Sequence, residues 1–397
     1  MDAELLADLR TPAGRAVLAD AEDATGPRDD LARSADLRRL HPHAAPGLVA
    51  AAQTQAALRL AAVTKLGDDA RCLWATREAL EQATRRSVAE HRAGRLAAHT
   101  SGGSLVDLGC GLGADLVAAA RAGLRVTGID RDPLRVALAR ANLAELGLAG
   151  EVLQADATRV NVSAYDLAFA DPARRNARGR VGDPRDCSPG WDAVSRWLAG
   201  TAVVKTTPAI PHALVPQGVE AEWVSDGGDL VEAALWSVSL ARVRRRATVL
   251  STGPGATLTD RDDPGGVTVA EPGAYWLEPD DAVVRAGLVT AVAARVDGWL
   301  LDPHIAYVST DREVRTPFAR TYRVVAEVPF RAKALRAALR ARDVGTVTIK
   351  KRGVDVVPEA LRARLRLHGS TPATLILTRV AGAGRAYLVE PLSSRDG

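Results

Sequence analysis

Val106-Asp107-Leu108-Gly109-Cys110-Gly111-Leu112-Gly113 joins a short apolar run to a glycine-rich turn through an acidic residue. The same ending recurs downstream. Val126-Thr127-Gly128-Ile129 ends in Asp130, Val152-Leu153-Gln154-Ala155 ends in Asp156, and Tyr165-Asp166-Leu167-Ala168-Phe169-Ala170 ends in Asp171-Pro172. Four strands in series, each with a carboxylate at its carboxyl end, describe a nucleotide-like ligand site along one sheet edge. The repeated ending carries more weight than the glycines, because a lone glycine-rich turn is a weak signal.

Around this core, residues 104–250 alternate short apolar runs with helical patterns. Strands are expected at 104–108, 125–129, 151–155, 165–170, 201–205, 219–224 and 229–238, and helices at 112–122, 133–146 and 188–199. Such alternation predicts a parallel sheet covered on both faces. Ser225-Asp226-Gly227-Gly228 reads as a tight hairpin between the last two strands. Residues 1–98 read as helical, with one long helix from Thr76 to Leu96. Residues 251–320 are rich in Gly, Pro and Asp, with 282–295 the one strong helical pattern, and read as an intervening region. Residues 321–397 follow a β-α-β-α-β-β order, which predicts a small α+β domain. The expected domains are therefore 1–98, 99–250, 251–320 and 321–397.

The turn needs glycine so that backbone can approach a ligand closely, with free amides of the next helix behind it. A dinucleotide uses Gly-x-Gly-x-x-Gly to seat its pyrophosphate. Here Gly109, Gly111 and Gly113 bring the third glycine one position early, and Asp107 stands two residues before the first. A carboxylate there makes little sense for a pyrophosphate. It suits S-adenosylmethionine, which has no phosphate but carries an ammonium and a sulfonium. Asp107-Leu108-Gly109-Cys110-Gly111-Leu112-Gly113 resembles motif I of the class I S-adenosylmethionine-dependent methyltransferases. The resemblance implies an α/β fold, a Rossmann-like seven-stranded class I methyltransferase sheet, with an N-terminal helical region and a small C-terminal α+β domain. It implies S-adenosylmethionine as cofactor. It places Asp107, Gly109, Cys110, Gly111 and Gly113 at the methionine-side pocket, Asp130 at the ribose hydroxyls, and Asp156-Ala157 at the adenine amino group. The other reading of Asp130 and Asp156 is that each caps the next helix.

The longer pattern resembles the actinobacterial methyltransferases with a C-terminal THUMP-like domain. Asp171-Pro172-Ala173-Arg174-Arg175, Thr76-Arg77-Glu78-Ala79-Leu80-Glu81-Gln82-Ala83-Thr84 and Ile349-Lys350-Lys351-Arg352-Gly353 carry that likeness. It implies an RNA substrate, with tRNA the class to test first. Asp171-Pro172 stands where amino-directed methyltransferases carry Asp-Pro-Pro-Tyr, whose acid and carbonyls align a target amine. Ala173 and Arg174 replace the second proline and the aromatic, so Arg174 would have to stack on a base or pair with a phosphate. Asp171, Pro172 and Arg174 are the expected catalytic residues. The contrary reading makes Asp171 structural and the arginines salt-bridge partners. His212, after strand five, and Cys187, as a nucleophile for pyrimidine C5 methylation, are weaker candidates, and Lys205 reads as a support for the loop.

The net charge of +4 hides an asymmetry: residues 321–397 hold 15 Lys or Arg and 6 Asp or Glu, a balance of +9 that leaves −5 for the rest. A basic tail on an acidic chain fits a polyanion partner or, alternatively, an ordinary solvated face. Three cysteines offer neither a disulfide framework nor a metal cluster. No metal is expected. The first residues lack a signal-peptide pattern, and no apolar run approaches the ~18 residues of a membrane span, so a cytoplasmic protein with no membrane partner is expected. A small-molecule or protein methyltransferase, an inactive RNA-binding relative and, more distantly, an NAD-dependent oxidoreductase are the rival functions.

Overall fold

Strand β1 (Ser104–Leu108) lies parallel between β2 (Arg125–Asp130) and β4 (Leu167–Ala170). On the outer sides, β3 (Glu151–Gln154) pairs with β2 and β7 (Ala202–Thr206) pairs with β4. Every residue of β4 and β7 is buried, as expected of strands covered on both faces. Helices α7 (Ala114–Arg121), α8 (Pro133–Glu145) and α9 (Trp191–Leu198) alternate with them, and a two-residue pair, β5 (Arg175–Asn176) and β6 (Gly179–Arg180), follows β4. The order β7-β4-β1-β2-β3 is the Rossmann-like order expected of a class I methyltransferase. The chain switches direction between β1 and β4, which opens a crevice at their carboxyl ends. The computed structural model describes residues 1–24, 30–172, 175–176, 179–180, 188–250 and 255–392.

Contacts divide the chain into two units, Met1–Val219 with Ala234–Ala241, and Glu220–Ala233 with Arg242–Gly397. These lines differ from the four stretches read from the sequence. In the first unit, helices α1 (Ala3–Leu9), α2 (Pro12–Asp23), α3 (Asp30–Leu40), α4 (Pro46–Leu66), α5 (Arg77–Gln82) and α6 (Arg86–Ala97) precede β1. Their core, with Leu6, Leu9, Leu18, Ala52 and Trp74, is continuous with Leu112 of the glycine turn and with Leu138 and Ala141 of α8. The expected single helix from Thr76 to Leu96 is two helices. Ala83 turns to ψ 143° and the chain resumes helix at Arg86. No proline or glycine marks this break; it is held by tertiary bonds of Thr84, described below.

The second unit begins with β8 (Glu220–Asp226) and β9 (Asp229–Trp236), joined by Gly227-Gly228 as the sequence predicts. The last residues of β9 belong to the first unit, where the Ser237 N–H donates to the Ala202 carbonyl at 2.9 Å. Next come β10 (Arg245–Leu250), parallel to β8, and β11 (Ala256–Thr259), antiparallel to β10. The stretch 251–320 presents itself in the sequence as an intervening region with one helical pattern. It holds β11, β12 (Tyr275–Pro279), β13 (Trp299–Leu300) and β14 (Val308–Thr310), and the helix at 282–295 is split into α10 (Asp281–Ala286) and α11 (Val289–Arg295) by Gly287 at φ 67°. The Gly/Pro/Asp composition reflects the turns between short strands.

β12 pairs directly with β15 (Ala319–Val328), so this stretch completes the sheet of the C-terminal residues. There, α12 (Ala332–Arg340), β16 (Val344–Arg352), α13 (Pro358–Leu365), β17 (Thr371–Val380) and β18 (Ala383–Pro391) follow the predicted order. The sheet runs β13-β14-β12-β15-β18-β17-β16.

Candidate active site

The carboxyl ends of β1, β4 and β7 bring three chemical groups together. Leu108 registers with Ala170 and Ala170 with Val204, so Gly109, Asp171 and Lys205 stand side by side at the carboxyl ends of the strands. A cavity of about 620 Å³ opens there, lined by the glycine turn, the ends of β2, β3, β4 and β7, and the stretch from Ala79 to Thr84.

The glycine turn runs through three left-handed residues, Gly109 (φ 100°), Gly111 (φ 57°) and Gly113 (φ 88°). The Gly109 and Cys110 amides donate to the Ile129 carbonyl at 2.8 and 3.0 Å, which ties the turn to β2. A Cβ on Gly113 would sit 3.3 Å from that of Ala139, so this glycine sets how closely α7 approaches α8. Gly113 lies behind the cavity wall; Gly109, Cys110 and Gly111 line it. Cys110 is buried, its sulfur against Gly128, and burial pushes its thiol pKa far up. It has the character of a packing residue rather than a nucleophile.

Asp130 is almost fully buried and is held by backbone: Gly111 N–H donates to Oδ2 at 3.1 Å and Asp132 N–H to Oδ1 at 3.0 Å. It does not cap α8, because Asp132 does so through the Leu134 N–H. Asp156 does act as a cap. Its Oδ1 accepts from the Thr158 hydroxyl and N–H at 2.7 and 2.9 Å, and these bonds hold its carboxyl below the usual range. Asp156 and Ala157 also line the cavity, so capping and facing the cavity coexist.

Asp107 is 1% exposed, and its Oδ1 has no hydrogen-bond partner among the described residues. Burial, with Asp115 and Asp171 nearby, pushes its carboxyl well above the usual carboxylate range. A buried, uncompensated carboxylate is costly to the fold alone. It makes chemical sense where a cation arrives from outside.

Asp171 and Pro172 line the same cavity. The Lys205 ammonium, 8% exposed, donates to Asp171 Oδ2 at 2.7 Å and to the Thr84 hydroxyl at 3.3 Å. Thr84 in turn donates to Asp115 Oδ2 at 2.7 Å, and Arg92 pairs with Asp115 Oδ1 while lying over the Phe169 ring. Sequence reading gave no role to Thr84, which closes the quoted Thr76–Thr84 stretch, and missed Arg92 and Asp115, which sit in no motif. Arg174 and Cys187 lie outside the described residues. His212 is exposed and is not part of the cavity wall. Among the described residues no three His, Cys, Asp or Glu side chains group as metal ligands, and no helix is long and apolar enough to cross a membrane.

Comparisons with known proteins agree with this geometry. A methyltransferase domain model matches residues 105–174, a THUMP domain-like model matches 319–391, and a domain of unknown function matches 2–62. An uncharacterized S-adenosylmethionine-dependent methyltransferase of Mycobacterium tuberculosis is 40% identical over 327 residues, covering 80% of this chain and 88% of the relative. The chain belongs to the S-adenosylmethionine-dependent methyltransferases. It is an enzyme of that class with S-adenosylmethionine as its cofactor. A crystallised methyltransferase candidate from Porphyromonas gingivalis W83 shares the fold, with TM-score 0.75 at 21% identity over 96% of this chain and 99% of that one. The site fits the cofactor on its own chemistry. Asp107 offers a buried carboxyl oxygen without a partner among the described residues, Asp130 a second fixed carboxylate nineteen residues beyond Gly111, and Gly109 and Gly111 bring bare backbone to the cavity wall.

Proposed function

We propose that this methyltransferase modifies RNA, and that tRNA is the class to test first. The observation that carries this reading is the helical layer of the THUMP-like segment. Helices α12 and α13 bury Leu335, Leu339, Leu361 and Leu365 and leave Lys333, Arg340, Arg362 and Arg364 exposed. Arg340 donates to the Arg366 carbonyl at 2.7 Å, which joins the end of one helix to the end of the other. A one-sided basic layer of this kind suits phosphate contacts, which fix a polyanion without reading its sequence. We place the protein in the cytoplasm, where such a substrate is made.

We propose that Asp107 receives the cofactor's ammonium, that Asp130 meets its ribose hydroxyls, and that Asp156 and Ala157 meet its adenine. When bound, the cofactor supplies an electrophilic methyl group on a sulfonium, whose transfer asks mainly for in-line placement of a nucleophile. Asp171 would accept a hydrogen bond from the target amine and align its lone pair, with Pro172 presenting its carbonyl beside it. Arg174 is the proposed contact to the base or its phosphate.

The test is transfer of labelled methyl from S-adenosylmethionine into fractionated tRNA, rRNA, DNA and protein, with Asp171→Ala alongside. Label in one RNA class, lost in the variant, supports the reading. Label in protein or DNA overturns it, and so does absence of label in every fraction while S-adenosylhomocysteine still binds. Separately, Arg362→Glu and Arg364→Glu are expected to weaken tRNA binding and to reduce its salt slope by about one for each phosphate no longer neutralised.

A further inference from the structure

Among the described residues, the side chain that reaches Asp171 comes from another strand, Lys205 of β7. Asp171 is fixed by a relay that crosses three parts of the first unit. Asp171, just past the end of β4, and Lys205, near the end of the adjacent parallel β7, each follow the Ala170–Val204 pair by one residue, so their side chains share a face. Lys205 reaches Asp171 Oδ2 and Thr84 Oγ1, Thr84 reaches Asp115, and Asp115 takes Arg92. The direction of every bond is forced. A lysine ammonium only donates and a carboxylate only accepts, so the one hydroxyl proton of Thr84 must go to Asp115 and its lone pair to Lys205. Lys205, Thr84 and Arg92 are each under 9% exposed, so water competes little for these bonds and they are strengthened.

The Thr84 link has its own structural signature. The helix that sequence predicts from Thr76 to Leu96 is interrupted at Ala83–Arg85, and the interruption is what puts the Thr84 hydroxyl between Lys205 and Asp115. Helical backbone is given up there in exchange for the relay.

We propose that Lys205 and Thr84 are positioning residues of the methyl-transfer site, holding one oxygen of Asp171 so that the other is presented to the acceptor. The proposal rests on the reading that Asp171 meets the acceptor group. It extends the site to the N-terminal region, which no motif of the methyltransferase sheet reaches.

The experiment uses the full chain and five variants, Lys205→Met, Lys205→Arg, Thr84→Val, Thr84→Ser and Asp171→Asn. Methyl transfer is measured into whichever of the tRNA, rRNA, DNA and protein fractions the wild type labels. S-adenosylhomocysteine binding is followed by calorimetry, and crystal structures of Lys205→Met and Lys205→Arg are solved. Misplacement by about 1 Å lowers a rate by on the order of 10²-fold. Lys205→Met is therefore expected to lose about that much kcat, with acceptor KM and S-adenosylhomocysteine affinity nearly unchanged. Lys205→Arg should recover most of the loss, Thr84→Val should fall by about 10-fold, and Thr84→Ser should restore it.

In crystals the Asp171 carboxylate should rotate in Lys205→Met and return in Lys205→Arg, a readout that needs no substrate. An unmoved Asp171 in Lys205→Met overturns the proposal, as does wild-type kcat in that variant. So does equal loss in Lys205→Met and Lys205→Arg with cofactor binding gone, which would mean simple collapse. Full activity in Asp171→Asn would instead refute the role of Asp171 itself. Label in a fraction other than RNA would refute the RNA reading and leave this one standing.

Discussion

Replacing Asp107 by Asn is expected to move stability and binding in opposite directions. The carboxylate is 1% exposed with Oδ1 unpartnered, beside Asp115 and Asp171. A buried ion carries an effective penalty of several kcal/mol, and a neutral buried polar group about 1–3 kcal/mol. The exchange for an amide of the same shape should therefore stabilise the protein without cofactor by about 2 kcal/mol. For a unit of this size that raises Tm by roughly 4–8 °C.

Stability also acquires a sign in pH. The folded chain holds Asp107 above its ordinary value of 3.8, so over that interval the folded state binds a proton that the unfolded state does not. The contribution is then present below the ordinary value and is lost as pH rises through the folded one. Asp107→Asn should abolish this decline. Binding should weaken, because a charge-assisted bond worth about 1.5–3 kcal/mol is removed, which is on the order of 10- to 150-fold in Kd. Thermal melts from acid to neutral pH and calorimetry with S-adenosylhomocysteine read both quantities. A variant that melts lower than wild type, or that binds S-adenosylhomocysteine equally well, would refute the account of Asp107 as an anion waiting for a cation.

Gly113→Ala must place a Cβ at φ 88° and 3.3 Å from Ala139. A left-handed alanine costs about 1–2 kcal/mol before any neighbour is counted, so chemical denaturation should show at least that loss. Asn142→Ala leaves Trp74 N–H, Trp74 C=O and Leu112 C=O without their partners. At about 1–3 kcal/mol for each buried group, a loss of roughly 3 kcal/mol or more is expected, and an unchanged melting temperature would contradict it. Burial, followed by the nearby Lys205 and Arg85, pushes the Lys65 ammonium down from 10.5 to about 8, against the pull of Glu81. Between those values the unfolded chain binds more protons, so stability should rise with pH in that window. Denaturation of Lys65→Met across it should lack the rise.

The parallel core was legible because its signals are local. The strands around Asp107, Asp130 and Asp171 announce themselves as apolar runs closed by acids, and the C-terminal β-α-β-α-β-β order by plain alternation. What escaped reading depends on residues far apart in the chain. Thr84 sits in the break of a good helical sequence and is bonded there to Lys205 and Asp115, 121 and 31 residues away, while Lys65 donates to the Leu80 and Glu81 carbonyls at the end of α5. The strands at Tyr275–Pro279 and Val308–Thr310 are short and surrounded by Gly, Pro and Asp, so composition favoured irregular structure. Pairing with the long strand Ala319–Val328 overrode it. Asp107 is marked in the sequence by its place in the motif. That its Oδ1 would be buried and unpartnered is a property of packing, and no spacing rule contains it.

Asn142 gives the N-terminal helices a further significance. One amide side chain grips both the backbone of Trp74 and the carbonyl of Leu112 inside the glycine turn. A protein trimmed to begin at β1 would keep every motif residue of the sheet yet lose two of those three bonds, and would expose the apolar side of α8 that Leu6, Leu9 and Trp74 cover. The methyltransferase sheet here is not a portable module. Shuffling by recombination would have to carry the leading helices with it, because displacing Trp74 also loosens the residue that holds the Leu112 carbonyl in the glycine turn.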